Sequence, residues 1–270
     1  YALVVFVRNR LYDMGVFGST TFSVKTICIG NLSVGGTGKT PMTELLVRSL
    51  SPRYKIAVLS RGYRRKSSGY ILATATSQVA DIGDEPFQLF SKFPKITVAV
   101  DADRKNGIKQ LQKEIKPNLI LLDDAFQHRK VSPDYAILLT TYDNLYFDDW
   151  YLPTGNLRDG KYAAERANCI VVTKCPEFLD KNKQEAVKKR INPKEHQTVL
   201  FAYLSYGNEV IGIERSLSLS DFIDKEVSLV TGIANPKPLV SYLKSKGIGF
   251  EHLAYKDHHF FSKDEVEVLK

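Results

Sequence analysis

Gly30-Asn31-Leu32-Ser33-Val34-Gly35-Gly36-Thr37-Gly38-Lys39-Thr40-Pro41 follows an apolar run, Ile27-Cys28-Ile29, and precedes a helical pattern with Met42, Leu45, Leu46 and Leu50 on one face. Strand, glycine-rich turn and helix, in that order, are the setting in which Gly-Lys-Thr cradles phosphate. Backbone N–H groups of Gly35, Gly36, Thr37 and Gly38 are expected to point at one anion, and the helix N-terminus adds its partial positive charge. Lys39 is expected at the β/γ-phosphates and the Thr40 hydroxyl at Mg²⁺. Pro41 suits a first helical turn, where its missing N–H is no loss. Ser33 stands where the general G-x-x-x-x-G-K-S/T pattern has glycine, so the loop's first turn should not need a positive φ there. The stretch predicts a nucleoside triphosphate site.

Outward from the loop, composition narrows the class. At 270 residues, 43% hydrophobic and 25% charged, the chain has the make-up of a globular protein of one large or two modest domains. No apolar run approaches the ~18 residues needed to span a bilayer. Cys28, Cys169 and Cys175 are scattered and without zinc spacing, and read as reduced core residues of a cytosolic protein. A net charge of +8 favours acidic partners such as nucleotides, phosphorylated substrates or anionic lipid. No nucleic-acid-binding motif accompanies it. The chain starts at Tyr1 and stops inside a helical pattern, so both termini are expected to be incomplete.

Residues 1–18 place Leu3, Val7, Leu11 and Met14 at helical spacing beside Arg8 and Arg10. Such a helix lies either in a membrane interface or on the protein's own core. Downstream, Lys55–Leu59 reads as a strand ending in the basic run Ser60 to Lys66, and Gly83-Asp84-Glu85-Pro86 opens a helix carrying Phe87 and Phe90. Ile96–Val100 runs into Asp101-Ala102-Asp103-Arg104. Leu119–Leu122 closes on Asp123-Asp124, a Walker B pattern whose carboxylate holds the Mg²⁺ water shell opposite Thr40. Tyr135–Leu139 and Cys169–Thr173 are apolar throughout, as buried parallel strands are. Between them, Leu157-Arg158-Asp159 lies in a loop near the expected crevice. Thr198–Tyr203 and Val210–Ile213 suggest a hairpin around Gly207-Asn208, leading to a small unit with strands at 228–231 and 250–253 and a helix at 239–244.

The assembled segments resemble the tetraacyldisaccharide 4'-kinase family, the lipid A kinases of Gram-negative bacteria. The phosphate-loop segment, with serine in place of glycine, and Asp123-Asp124-Ala125-Phe126-Gln127-His128 are specific to it. Ser60-Arg61-Gly62-Tyr63, Gly83 to Pro86, Asp103-Arg104, Leu157-Arg158, Gly232 to Pro236 and Asp257-His258-His259 follow in the family's order. The resemblance implies a three-layer α/β/α phosphate-loop NTPase domain with a mostly parallel sheet, over residues 1–197. A two-stranded hinge at 198–213 and a smaller C-terminal α/β domain at 214–270 would complete it. It implies transfer of the ATP γ-phosphate to the 4'-hydroxyl of a lipid disaccharide 1-phosphate with Mg²⁺, on the cytosolic face of the inner membrane where the N-terminal helix rests. No nucleic acid and no obligate protein partner are implied. By the same resemblance Lys39 and Thr40 contact phosphate and metal, Asp123 and Asp124 lie near the metal, Asp103 and His258 form a catalytic pair, and Arg158 contacts phosphate or transition state. Four positions depart from the family: Ala125 and Arg64 replace glycines, and Asn156 and Asp159 replace a proline and a glutamate.

Phosphoryl transfer needs alignment, charge stabilisation and a group that orients the attacking hydroxyl. Asp103 is the candidate base, and it is also placed to cap the helix beginning at Arg104. Two other readings fit the loop: a switch NTPase acting through a protein partner, and a kinase with a soluble acceptor.

Overall fold

The computed structural model describes residues 1–212, 215–233, 235–257, 259 and 261–269. His258, expected in the catalytic pair, lies outside the described residues, as do Ile213 and Ala234. The chain divides into two compact units, residues 1–204 and 205–270.

The first unit runs α1 (Ala2–Asp13), β1 (Lys25–Asn31), α2 (Lys39–Leu50), β2 (Ile56–Ser60), β3 (Ile71–Leu72), α3 (Val79–Ile82), α4 (Asp84–Lys92), β4 (Thr97–Val100) and α5 (Arg104–Glu114). It continues with β5 (Leu119–Asp123), β6 (Tyr135–Thr141), β7 (Cys169–Thr173), α6 (Lys181–Ile191) and β8 (Thr198–Phe201). The eight strands form one sheet in the order β3-β4-β2-β5-β1-β6-β7-β8, parallel except where β3 meets β4. Strands β2, β4 and β5 lie on one side of β1 and β6 to β8 on the other, so the order reverses beside β1. In such sheets ligands bind at that point, outside the carboxyl ends of the strands. Ile29 of β1 stands opposite Asp123 and Ile137, which brings the Walker acid to the level of the phosphate loop.

The apolar runs are continuous because both sheet faces are covered. Cys28, Leu59, Ile120, Leu122 and Leu138 share one cluster with Ile108 and Leu111 of α5. Ile29, Val58, Leu121, Ile137 and Val171 share the other with Val47 of α2 and Leu89 of α4. This is the expected α/β/α sandwich. All three cysteines are buried thiols.

The expected hairpin around Gly207-Asn208 does not form. Thr198–Phe201 is instead the edge strand of the large sheet, parallel to β7, with Val199 and Phe201 packed against the first cluster. Burial of alternate residues on the main core outweighs the local turn signal, and the unit boundary moves from 197 to 204.

In the second unit β9 (Glu209–Ile211) pairs antiparallel with β10 (Ser216–Ser218). Strand β11 (Ser228–Thr231) pairs parallel with β12 (Glu251–Ala254) across α7 (Lys237–Ser245), and α8 (Lys263–Val268) follows. His259 sits against Tyr255 and Phe261, and its Nε2 is 3.0 Å from the Glu265 carboxylate.

Helix α1 inverts the usual burial of an amphipathic helix. Leu3, Val4 and Met14 are 70–73% exposed, while Asn9 is buried. The reading in which its apolar stripe packs on the protein's own core is therefore wrong. Polar contacts hold the helix together with half-buried Val5 and Leu11 and the Phe6–Tyr162 ring contact, while Leu3, Val4, Val7 and Met14 face outward. Among the described residues no helix is long and apolar enough to cross a membrane.

Candidate active site

The phosphate loop is shaped by its glycines. Gly35 and Gly38 adopt φ of +103° and +88°, a region closed to most side chains, and Gly38 caps α2. Ser33 has no such φ, as expected. Its segment is held by a neighbouring loop: Val34 N–H donates to the Asn156 carbonyl (2.8 Å) and Arg158 N–H to the Leu32 carbonyl (2.8 Å). On the other flank Thr173 Oγ1, at the end of β7, donates to the Thr37 carbonyl at 2.8 Å.

That pairing with residues 156–158 lays the Arg158 guanidinium beside the Walker acids. It bonds both oxygens of Asp124 and donates to Asn31 Oδ1 at 2.6 Å. Lys39 Nζ lies 3.9 Å from Asp124. Burial works to raise the Asp124 pKa, but the Arg158 hydrogen bond and the Lys39 charge outweigh it and hold the group below the ordinary carboxylate range. Its neighbour behaves oppositely. Burial first, then the charges of Glu85 and Asp124, push Asp123 up to about 6 against the pull of Lys39 and Arg104. Among the described residues, only long hydrogen bonds, from Thr43 at 3.4 Å and Ser60 at 3.3 Å, reach its oxygens.

A buried carboxylate raised in this way suits a divalent cation, which would favour its charged form. Among the described residues no three His, Cys, Asp or Glu side chains gather into a cage. Mg²⁺ does not need one, because it is commonly held by one or two carboxylates with phosphate oxygens and water. Thr40, Asp123 and Asp124 fit that pattern.

Asp103 caps α5 by accepting from Lys105 N–H at 3.0 Å. Its described ionic neighbours are Lys130 Nζ at 3.7 Å and His128 Nε2 at 3.6 Å. Burial would raise its pKa, yet Lys130, the backbone donors and His128 together keep it below the usual value. His128 itself is pushed down to about 4 by burial and the Arg104 charge, with Asp103 opposing. At neutral pH the imidazole is uncharged, so Lys130 supplies the attraction on Asp103. Among the described residues, His128 Nε2 is buried without a hydrogen-bond partner. A cavity of about 190 Å³ joins Arg61, Arg104, Asp124, Gln127, His128 and Arg158. A larger one of about 640 Å³ places Asp103, Lys105 and Lys130 with Tyr12, Val16 and Phe17.

Three site residues had no role in the sequence reading. Asn31, wholly buried, donates to Thr37 Oγ1 (2.9 Å), accepts from Arg158, and through its carbonyl accepts from Gln127 Nε2 (2.7 Å). Arg104, also buried, donates to the carbonyls of Asp123 and Asp124 at 3.3 and 3.2 Å. His128 was visible only as part of a motif. A polar residue closing the apolar run Ile27–Ile29 was the available sign for Asn31. Arg64, where the family pattern has glycine, adopts φ +58°, which explains why glycine suits that position.

A family model described as tetraacyldisaccharide-1-P 4'-kinase matches residues 1–270. The tetraacyldisaccharide 4'-kinase of Flavobacterium johnsoniae is 48% identical over 271 residues, spanning 100% of this chain and 79% of that protein. Its namesake in Bacteroides thetaiotaomicron is 45% identical over 282 residues, spanning 100% and 74%. The crystal structure of an "apo" form of LpxK from Aquifex aeolicus in complex with ATP superposes with a TM-score of 0.80 at 27% identity, over 98% of this chain and 82% of that one.

Proposed function

Because the chain belongs to the tetraacyldisaccharide-1-P 4'-kinase family, we propose that Lys39, Arg158 and Asp103 carry the γ-phosphate of ATP to the 4'-hydroxyl of a tetraacylated disaccharide 1-phosphate. The chain is a kinase of lipid A biosynthesis, and the switch-NTPase alternative is not favoured. What carries the assignment of residues is the convergence of Lys39, Asp124 and Arg158 beside the glycine loop, with His128 and Arg61 around the adjoining cavity.

In the proposed reaction the acceptor oxygen attacks the γ-phosphorus, the bond to the β,γ-bridging oxygen breaks, and ADP leaves. Lys39 and Arg158 face the charge that spreads over the transferring group. Thr40, Asp123 and Asp124 would hold Mg²⁺, which neutralises phosphate charge when bound. Asp103 aims the hydroxyl. Its lowered pKa makes it a poor base toward a ground-state alcohol. It accepts the proton as the new P–O bond forms, when the hydroxyl has become acidic. The partner role of His258 belongs to the same proposal.

The outward apolar side of α1, with Leu3, Val4, Phe6 and Val7 exposed beside Arg10, supports peripheral binding to the anionic cytoplasmic face of the inner membrane. The decisive experiment supplies radiolabelled ATP, Mg²⁺ and the lipid disaccharide 1-phosphate in detergent micelles. Labelled lipid is expected. Label released only as inorganic phosphate, with or without lipid, would overturn the reading.

A further inference from the structure

Asn9 is the buried residue of α1, on a helix that turns Leu3, Val4, Phe6 and Val7 outward. Its Nδ2 donates to Asp159 Oδ1 at 2.6 Å and approaches the Tyr162 hydroxyl at 3.1 Å, while its own Oδ1 is buried with no partner among the described residues. An apolar side chain here would strand no carbonyl, so the amide is present at a cost that packing alone does not require.

What the amide grips is informative. Asp159, 1% exposed, also takes the Arg166 guanidinium at 3.0 Å and the Gly160 N–H at 2.8 Å. It directly follows Arg158. The Arg158 backbone is in turn held from two directions: its N–H by the Leu32 carbonyl of the phosphate loop, and its carbonyl by the Tyr1 hydroxyl at the start of α1 (2.9 Å). A second set of contacts runs to the loop after the Walker acids. Arg8 donates to the Gln127 carbonyl and Arg129 to the Asn9 carbonyl, each at 2.8 Å.

We propose that Asn9 is a positioning residue for phosphoryl transfer: its bond to buried Asp159 seats α1 and thereby fixes the backbone from which Arg158 reaches Asp124. The proposal deepens the reading of Arg158 given above and rests on it. Asp159, which departs from the family's glutamate, acts in this account as the anchor of the helix rather than at the phosphoryl group. A displacement of about an ångström at a positioning group costs on the order of a hundredfold in rate.

The test compares the full chain with Asn9→Leu, which keeps the branched shape and removes the donor, and with Asn9→Ala. Amide hydrogen exchange in 157–160 and 124–129 is expected to quicken several-fold in both variants. In the labelled-lipid assay kcat is expected to fall about tenfold to a hundredfold with the KM for ATP unchanged. Leu3→Ser, on the exposed side of α1, should weaken binding to anionic vesicles and leave exchange at 157–160 as in the parent. Parent-like exchange in Asn9→Leu would overturn the proposal, as would quickened exchange with unchanged kcat, or a loss confined to KM. Should the parent itself label no lipid, the functional reading fails, while the exchange arm still decides whether Asn9 holds the Arg158 segment.

Discussion

The phosphate cradle and the Asp103 corner adjoin one another and are built by opposite means. The cradle is contiguous: residues 30–41 supply its glycines, its lysine and the helix start, and the proposed phosphate contacts are mostly peptide N–H groups. The corner draws Asp103 from the end of β4, His128 and Lys130 from the loop after β5, and Arg158 from the loop before β7. Backbone donors survive most side-chain changes. A corner made of side chains from distant segments depends on each one, and on whatever seats the segments.

The largest expected effect lies in the cradle's one indispensable side chain. Lys39→Ala removes the charge proposed to face the phosphates and leaves Asp124 with its Arg158 ion pair and the nearby Arg104 charge. Turnover should fall about a thousandfold in kcat/KM, while circular dichroism stays that of the parent. A loss under tenfold would mean that the loop amides do nearly all the binding. In the corner, Asp103→Ala should lower kcat on the order of a hundredfold and leave the KM for ATP unchanged, because nothing in the cradle touches Asp103. If the KM for ATP rises with it, the two regions are not separable. Some loss of stability accompanies the variant, since Asp103 caps α5, so a melting curve should be taken alongside.

The same contrast sets what could be read from the chain. Local order announces itself: glycine spacing, apolar runs buried on both faces, and an acid closing Leu119–Leu122 gave the sandwich and the Walker pair. Long-range choices do not. Thr198–Tyr203 reads as a hairpin arm from its turn signal, and the ladder offered by β7 makes Thr198–Phe201 an edge strand instead. The outward turn of Leu3, Val4 and Met14 on α1 goes with contacts to distant segments, among them Asn9 meeting Asp159, 150 residues away. Motif order supplied Asp103, but its described neighbours, Lys130 and neutral His128, depend on how the 124–130 loop folds back.

Gly30 is where the two regions touch, and it sharpens the comparison. A Cβ there would lie 2.5 Å from the Phe126 Cβ and 3.1 Å from its amide nitrogen. Gly30→Ala must therefore push the Phe126-Gln127-His128 segment away from the end of β1. Overpacking of this kind costs about 1–3 kcal/mol. Urea midpoints should fall accordingly, and turnover should fall further than stability alone accounts for, because Gln127 is bonded to Asn31 across that seam. Parent-like turnover would show that the corner tolerates displacement.

The smallest effect is a pH signature. His128 has a folded-state pKa near 4, lowered by burial and Arg104, against about 6.5 when unfolded. Between those values the unfolded chain binds a proton that the folded chain refuses. This contribution to stability is therefore whole above about pH 6.5 and is lost as pH falls toward 4. Asp123 works the other way in the metal-free protein. Raised to about 6 when folded, it binds a proton first in the folded state and adds stability as pH drops through 6. The two nearly overlap, so the parent alone is uninformative and the difference from His128→Asn is the quantity to measure. The parent's margin over the variant should shrink by about 1–2 kcal/mol between pH 7 and 4.5, given that the ring is one-fifth exposed. A flat difference would mean that water reaches Nε2 and that His128 is an ordinary surface imidazole. An imidazole of ordinary pKa would be partly protonated at about pH 6.5 and would then share with Lys130 the attraction on Asp103.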